Sequence, residues 1–254
     1  MGFKRFSQTA VILFALCAAI QAGPVVNTLD TTGYNFQLNG GGGGAQATLN
    51  KTQNIELFCV DFANDIYVPQ DNYSAYVTGL TSTNSDLGVT RFGDVTNWTP
   101  ISNTVTDASV INTATDLGRY QMAAYLVSTY NIAGGNNPAN NSIQQAIWDI
   151  LDPKGPGGFA EFGGPATNTE LTAAASWYSS TTTAARDLYL ANYRIVSDTT
   201  MKYCSGSSGL LCGGFQEQIT VVPEPRHLAI LLTGLLLLGS AVYRRLVRAS
   251  RSNA

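Results

Sequence analysis

Apolar positions gather in two runs near the ends of the chain and alternate with polar ones between them. Ala10 to Ile20 is the first run and Leu228 to Tyr243 the second. Between them, short apolar and aromatic stretches predict strands at Tyr34 to Leu38, Ala45 to Leu49 and Ile55 to Phe62, with Ile66 to Val68 and Tyr73 to Val77 continuing the sheet. Gly40 to Gly44 reads as a hairpin connection or loose loop, since no phosphate-loop lysine follows it. The Asn/Thr/Ser/Asp-rich span Thr81 to Asn112 reads as loop with short strands.

Helical spacing then takes over. From Leu117 to Tyr130 the pattern puts Leu117, Tyr120, Met122, Ala124, Tyr125 and Val127 on one broad face. After a Gly/Asn/Pro loop from Asn131 to Asn140, Asn141 or Ser142 can cap a helix that runs to about Leu151 and stops before Pro153. Gly155 to Gly164 reads as loop, Thr169 to about Asn192 as a helix or helix pair, and Tyr193 to Val196 and Phe215 to Val222 as closing strands. The prediction is an α+β domain. Its core is a mainly antiparallel β sandwich or barrel, and its helical subdomain spans about Leu117 to Asn192.

The ends predict export and sorting. Lys4 and Arg5, the apolar run and the small residues around Ala22 have the layout of a signal peptide over residues 1–22. At the other end, Leu228 to Tyr243 is slightly short of the roughly 17–25 residues of a spanning helix. Arg244, Arg245, Arg248 and Arg251 follow it, as a cytoplasmic stop-transfer cluster would. Before it, Val222-Pro223-Glu224-Pro225 is an extended, accessible segment, because neither proline continues regular structure. This order resembles the PEP-CTERM sorting signal of exported bacterial proteins. The resemblance implies recognition by an exosortase, a membrane anchor at least until the tail is processed, and a cell envelope with an outer membrane. It implies three parts: signal peptide 1–22, exterior domain 23–221, and sorting segment 222–254 with its transmembrane helix at 228–243.

Charge sharpens the division. Charged residues make up 12% of the chain, at a net −3. Residues 23–221 hold seven basic and sixteen acidic residues, a net −9. Such a body repels anionic polymers, which excludes nucleic acid as a partner. The one histidine, His227, falls in the sorting segment, so a histidine-based triad or histidine-rich metal site in the body is excluded. No metal site and no cofactor is predicted.

Of four cysteines, Cys17 leaves with the signal peptide. Cys204 and Cys212 flank a pliable Ser/Gly turn and are candidate disulfide partners in an oxidising compartment. Cys59, in Phe58-Cys59-Val60-Asp61, is left over. A buried inert thiol, an intermolecular disulfide or another reaction would each account for it. On the helix after Ser142, at 100° per residue, Gln144 falls inside the apolar arc of Ile143, Ile147 and Leu151, while Gln145 falls outside it. A glutamine there needs a partner.

Phe58-Cys59-Val60, followed by Gln144-Gln145-Ala146-Ile147-Trp148, resembles the thioester domain of bacterial surface adhesins. That family carries an aromatic-Cys-aliphatic motif on a strand and Gln-x-Ala-Ile-Trp on a helix. Ile143 stands where threonine is usual. The resemblance implies that Cys59 and Gln144 condense, with loss of ammonia, to an internal thioester. An amine or hydroxyl on a ligand could then attack the Gln144 carbonyl and release the Cys59 thiolate. Trp148 would shield the bond. Asp61 would orient the nucleophile or, as the preferred reading, stay a solvated strand residue. The step is a single-turnover acyl transfer, so the protein is expected to be a covalent adhesin and not an enzyme.

Two alternatives stand beside it. One is a non-covalent structural protein of the cell surface or biofilm matrix, with Cys59 and Gln144 unlinked. The other is a secreted hydrolase using Asp149 and Asp152, a pair that also fits an ordinary solvated helix end. No nucleophile elbow, HExxH motif or calcium loop supports the hydrolase.

Overall fold

Short strands and helices form as the alternating and helical stretches predict, and the domain is α+β. The structure is a computed structural model that describes residues 25–30, 43–61, 73–102, 104–151, 165–203 and 211–222. The strands are β1 (Val25–Asp30), β2 (Gly44–Leu49), β3 (Gln53–Cys59), β4 (Tyr73–Gly79), β5 (Tyr193–Asp198), β6 (Lys202–Tyr203), β7 (Leu211–Cys212) and β8 (Gln218–Val221). The helices are α1 (Ala108–Asn112), α2 (Asp116–Thr129), α3 (Pro138–Ile150), α4 (Pro165–Ser180) and α5 (Thr183–Tyr189). Six antiparallel strands close into a barrel, in the order β1-β2-β3-β8-β5-β4. The short strands β6 and β7 pair with each other.

Alternation along β3 divides the core in two. Ile55 and Leu57 join Ala45, Ala47, Leu49, Ala75 and Val196 in a core contributed by β2, β3, β4 and β5. Phe58 and Val60 instead join Tyr120, Leu126, Ile143 and Ile147 of the helices. α2 is buried nearly all round, with Gly118 to Ala124 all buried, Arg119 and Gln121 among them, and so sits centrally among the helices.

Several boundaries differ from those the sequence predicts. β1 has no counterpart among the predicted strands. Thr81–Asn112 contains a 3-10 turn at Leu87–Val89 and helix α1 where its composition predicts loop and short strands, so the helical region begins at Ala108. α3 starts earlier than Asn141, because Asn137 caps the Asn140 N–H at 3.0 Å and Pro138 takes a first-turn position that needs no N–H. The predicted third helix is a pair, interrupted where Thr182 caps the Ala185 N–H. β8 begins only at Gln218; Gly213 and Gly214 before it adopt positive φ, and the Phe215 N–H is drawn to Asp198 Oδ2 at 2.7 Å.

The chain divides into two compact units, Met1–Val221 and Val222–Ala254. Among the described residues no helix is long and apolar enough to cross a membrane. The predicted signal peptide, the predicted strands at Tyr34–Leu38 and Ile66–Val68, and the sorting segment beyond Val222 lie outside the described residues.

Candidate functional site

The β2–β3 ladder opens at its end, and Gln144 fills the opening. Gly44 faces Phe58 in the register, so the next pair is Gly43 and Cys59. The Cys59 N–H donates to the Gly43 carbonyl at 3.3 Å. The reciprocal bond of an antiparallel pair would run from the Gly43 N–H to the Cys59 carbonyl. Here the Gln144 carboxamide stands between those two groups. The Gly43 N–H donates to Gln144 Oε1 at 3.0 Å, and Gln144 Nε2 donates to the Cys59 carbonyl at 2.7 Å. Gly43 can turn out of the ladder because its φ of 93° suits only glycine. Cys59 and Gln144 are each fully buried, so neither end of the carboxamide has water as a substitute.

α3 delivers this group as part of a stripe. Asn140, Gln144 and Trp148 recur every four residues and so share one side of the helix. All three are buried, Trp148 at 7% exposure. The predicted arc is accurate at its edges: Gln144 is inside, and half-buried Gln145 accepts from the Thr167 hydroxyl at 3.1 Å. Phe58 packs on the helix side, its ring edge-on to Tyr130 at 5.4 Å.

The strand end beyond Cys59 is held by a buried polar cluster. The Cys59 thiol donates to the Asp61 carbonyl at 3.3 Å, and Gln216 Nε2 donates to that same oxygen at 2.6 Å. The Val60 N–H donates to the Glu217 carbonyl at 3.1 Å. Asp61 is not a solvated strand residue: it is fully buried, and its carboxylate meets Arg91 Nε at 2.5 Å. Asp149 departs from its expected solvated setting in the same way, at 4% exposure. Arg91 also donates to the carbonyls of Gly213, at 2.8 Å, and Phe215, at 3.1 Å.

Glu217 completes the cluster. It accepts from the Tyr120 hydroxyl, from the Ser197 hydroxyl at 2.5 Å and from the Arg91 N–H at 2.6 Å. Burial raises its carboxyl to about 7, against the lowering effect of these donors. Burial, followed by the neighbouring Glu217 charge, drives the Tyr120 phenol well above its ordinary range.

Sequence reasoning thus finds Cys59 and Gln144, which the fold brings together from 85 positions apart. It misses Gly43, Arg91, Tyr120, Ser197 and Glu217. Five consecutive glycines give no hint that one donates to a buried carboxamide. The other four are linked only across the fold. Asp152 and Cys204 lie outside the described residues, as does the side chain of Cys212 in β7. The same holds for Pro223, Glu224, Pro225 and the arginines after them. Comparison with protein-family models, with curated proteins and with solved structures finds no match.

Proposed function

We propose that this protein is an exported surface protein whose folded domain binds its ligand covalently through a Cys59–Gln144 thioester. In this reading residues 1–22 direct export and 23–221 form a barrel with a helical subdomain. Residues 222–254 are a sorting signal read by an exosortase and anchored by a helix at 228–243. The sequence order of these parts supports the envelope location.

The observation that most favours the thioester is the clasp on Gln144. Condensation requires the Cys59 sulfur to attack the Gln144 amide carbon; a C–S bond forms, the C–N bond breaks, and the thiol proton leaves with nitrogen as ammonia. Negative charge develops on Oε1 during attack. The Gly43 N–H, 3.0 Å from Oε1, is placed to stabilise that charge in a water-excluded site. A ligand amine or hydroxyl would then attack the same carbon and return the proton to the Cys59 thiolate. Each chain could react once.

A second reading has its own observation. As a carboxamide, Gln144 already satisfies both backbone groups of the opened ladder. A non-covalent structural protein of the cell surface or matrix would keep it for that alone.

Intact mass separates the two. The linked protein is lighter by one ammonia and takes up one methylamine, with the tag at Gln144. A Cys59→Ala variant shows neither effect. Full mass, no methylamine uptake and alkylation of Cys59 on unfolding would sink the thioester and leave the structural reading.

A further inference from the structure

α3 presents two clasping carboxamides, one turn apart, on the same stripe. Gln144 holds the strand end. Asn140, at 1% exposure, holds the turn that precedes the helix. Its Oδ1 accepts from the Asn131 N–H at 3.1 Å, and its Nδ2 donates to the carbonyls of Asn131, at 2.8 Å, and Gly135, at 2.6 Å. The turn itself is a single 3-10 loop, closed by bonds from Gly134 to Asn131 at 3.0 Å and from Gly135 to Ile132 at 3.2 Å.

Ile132 links this turn to the Gln144 clasp. A Cβ placed on Gly44 would lie 2.6 Å from Ile132 Cγ1 and 3.2 Å from Phe58 Cε1. The isoleucine therefore rests directly on the backbone next to Gly43, whose N–H holds Gln144. The ring of Tyr130 meets Phe58 beneath the same turn, and burial raises its phenol. The outer side is open: Asn131, Ala133 and Gly134 are exposed, and a Cβ on Gly135 would meet nothing within 4 Å. A fully buried acyl group can react with a ligand only if some part of its cover moves. This turn has solvent on one side and the clasp on the other, and two asparagines at the start of the following helix pin it: Asn140, and Asn137, whose Nδ2 donates to the carbonyls of Gly134, at 3.2 Å, and Gly135, at 3.3 Å.

We propose that the Asn131–Gly135 turn is the gate that regulates nucleophile access to Gln144, with Ile132 as its seal and Asn140 as its latch. The proposal rests on the acyl-transfer reading. Closed, the turn keeps water from the activated carbonyl. Open, it uncovers the Gly43–Gly44 edge and the carbon that Gln144 presents there, while the Gly43 N–H keeps its hold on Oε1; the nitrogen half of the clasp has already left as ammonia when the thioester formed. Asn140 and Gln144 are bonded to different segments, so release of one does not require release of the other.

The test is Ile132→Ala in the full chain, with Ile132→Val as a milder step should the alanine variant fold poorly. The variant should retain the ammonia deficit yet consume methylamine about tenfold faster, a factor equivalent to 1.36 kcal/mol of barrier. A bulkier amine such as benzylamine should gain more than methylamine, because the seal excludes by size. Ile132→Val should fall between wild type and alanine. An intact ammonia deficit with unchanged rates for both amines overturns the gate. Should the wild type lack the deficit, the acyl-transfer reading is what fails, and amide exchange at Gly43 decides the gate instead. Exchange about tenfold faster in Ile132→Ala then supports it, and unchanged exchange refutes it.

Discussion

Replacing Gln144 by alanine would strand the Gly43 N–H and the Cys59 carbonyl, two buried groups that this one side chain now satisfies. An unsatisfied buried group costs about 1–3 kcal/mol, so urea unfolding of the unlinked protein should show a loss of roughly 2–6 kcal/mol for Gln144→Ala. A loss under about 1 kcal/mol would mean that the ladder closes without the glutamine. Gly44 gives a second residue-level prediction. Alanine there drives a methyl group to 2.6 Å from Ile132 Cγ1, which should cost about 1–3 kcal/mol as overpacking. A double-mutant cycle with Ile132→Ala should recover part of that loss; strict additivity would contradict the contact. Sequence foresees Gln144 because a helical wheel needs only local spacing to place a polar group on a buried arc. It fails for Asp61, because the cation that makes burial tolerable, Arg91, lies 30 positions away in an irregular segment. No periodicity encodes that pairing.

Elements are legible in proportion to their length and regularity. α2 spans 14 residues, and its observed ends lie one residue from the predicted ones. α1 has only five residues and sits in a span rich in Asn, Thr and Ser, where propensity favours loop. The early start of α3 has a local signal: Asn137 followed by Pro138 is a cap and a first-turn proline. The surrounding Gly, Asn and Pro residues hide that signal within a loop composition. The cap carries a prediction of its own. Asn137→Ala removes the bond to the Asn140 N–H, which should cost about 1 kcal/mol as a lost cap, and also the Nδ2 bonds to the carbonyls of Gly134 and Gly135. Because Asn137 and Asn140 both hold the preceding turn, amide exchange should quicken at both Asn140 and Asn131. Faster exchange at Asn140 alone would show that the helix end and the turn are uncoupled.

Glu217 joins the parts of the whole domain, because its carboxylate on the β8 side of the barrel meets Tyr120 of α2, Ser197 of β5 and the Arg91 N–H. The Arg91 guanidinium is bonded to Asp61, and it is the Arg91 main-chain N–H that donates to Glu217. Burial therefore outweighs the donors, and the Glu217 carboxyl moves from 4.5 to about 7. The sign of the pH effect follows from the direction of that change. Between pH 4.5 and 7 the folded protein holds a proton that the unfolded chain has released. The Glu217 contribution is therefore complete below about 4.5 and is lost as pH rises through about 7. Its size is on the order of 3 kcal/mol, at about 1.36 kcal/mol for each tenfold change in proton affinity. Glu217→Gln keeps the shape and the acceptor oxygen but cannot titrate. Denaturant unfolding at several pH values should show wild-type stability falling across this window relative to the variant, with the two curves running parallel above about pH 8. The Glu217-linked loss should come with weakened contact between barrel and helices, read as faster exchange at Val60, whose N–H is held by the Glu217 carbonyl. Wild type and Glu217→Gln running parallel from pH 4.5 to 7 would mean that Glu217 is ionised throughout, with Arg91 and the three donors prevailing over burial.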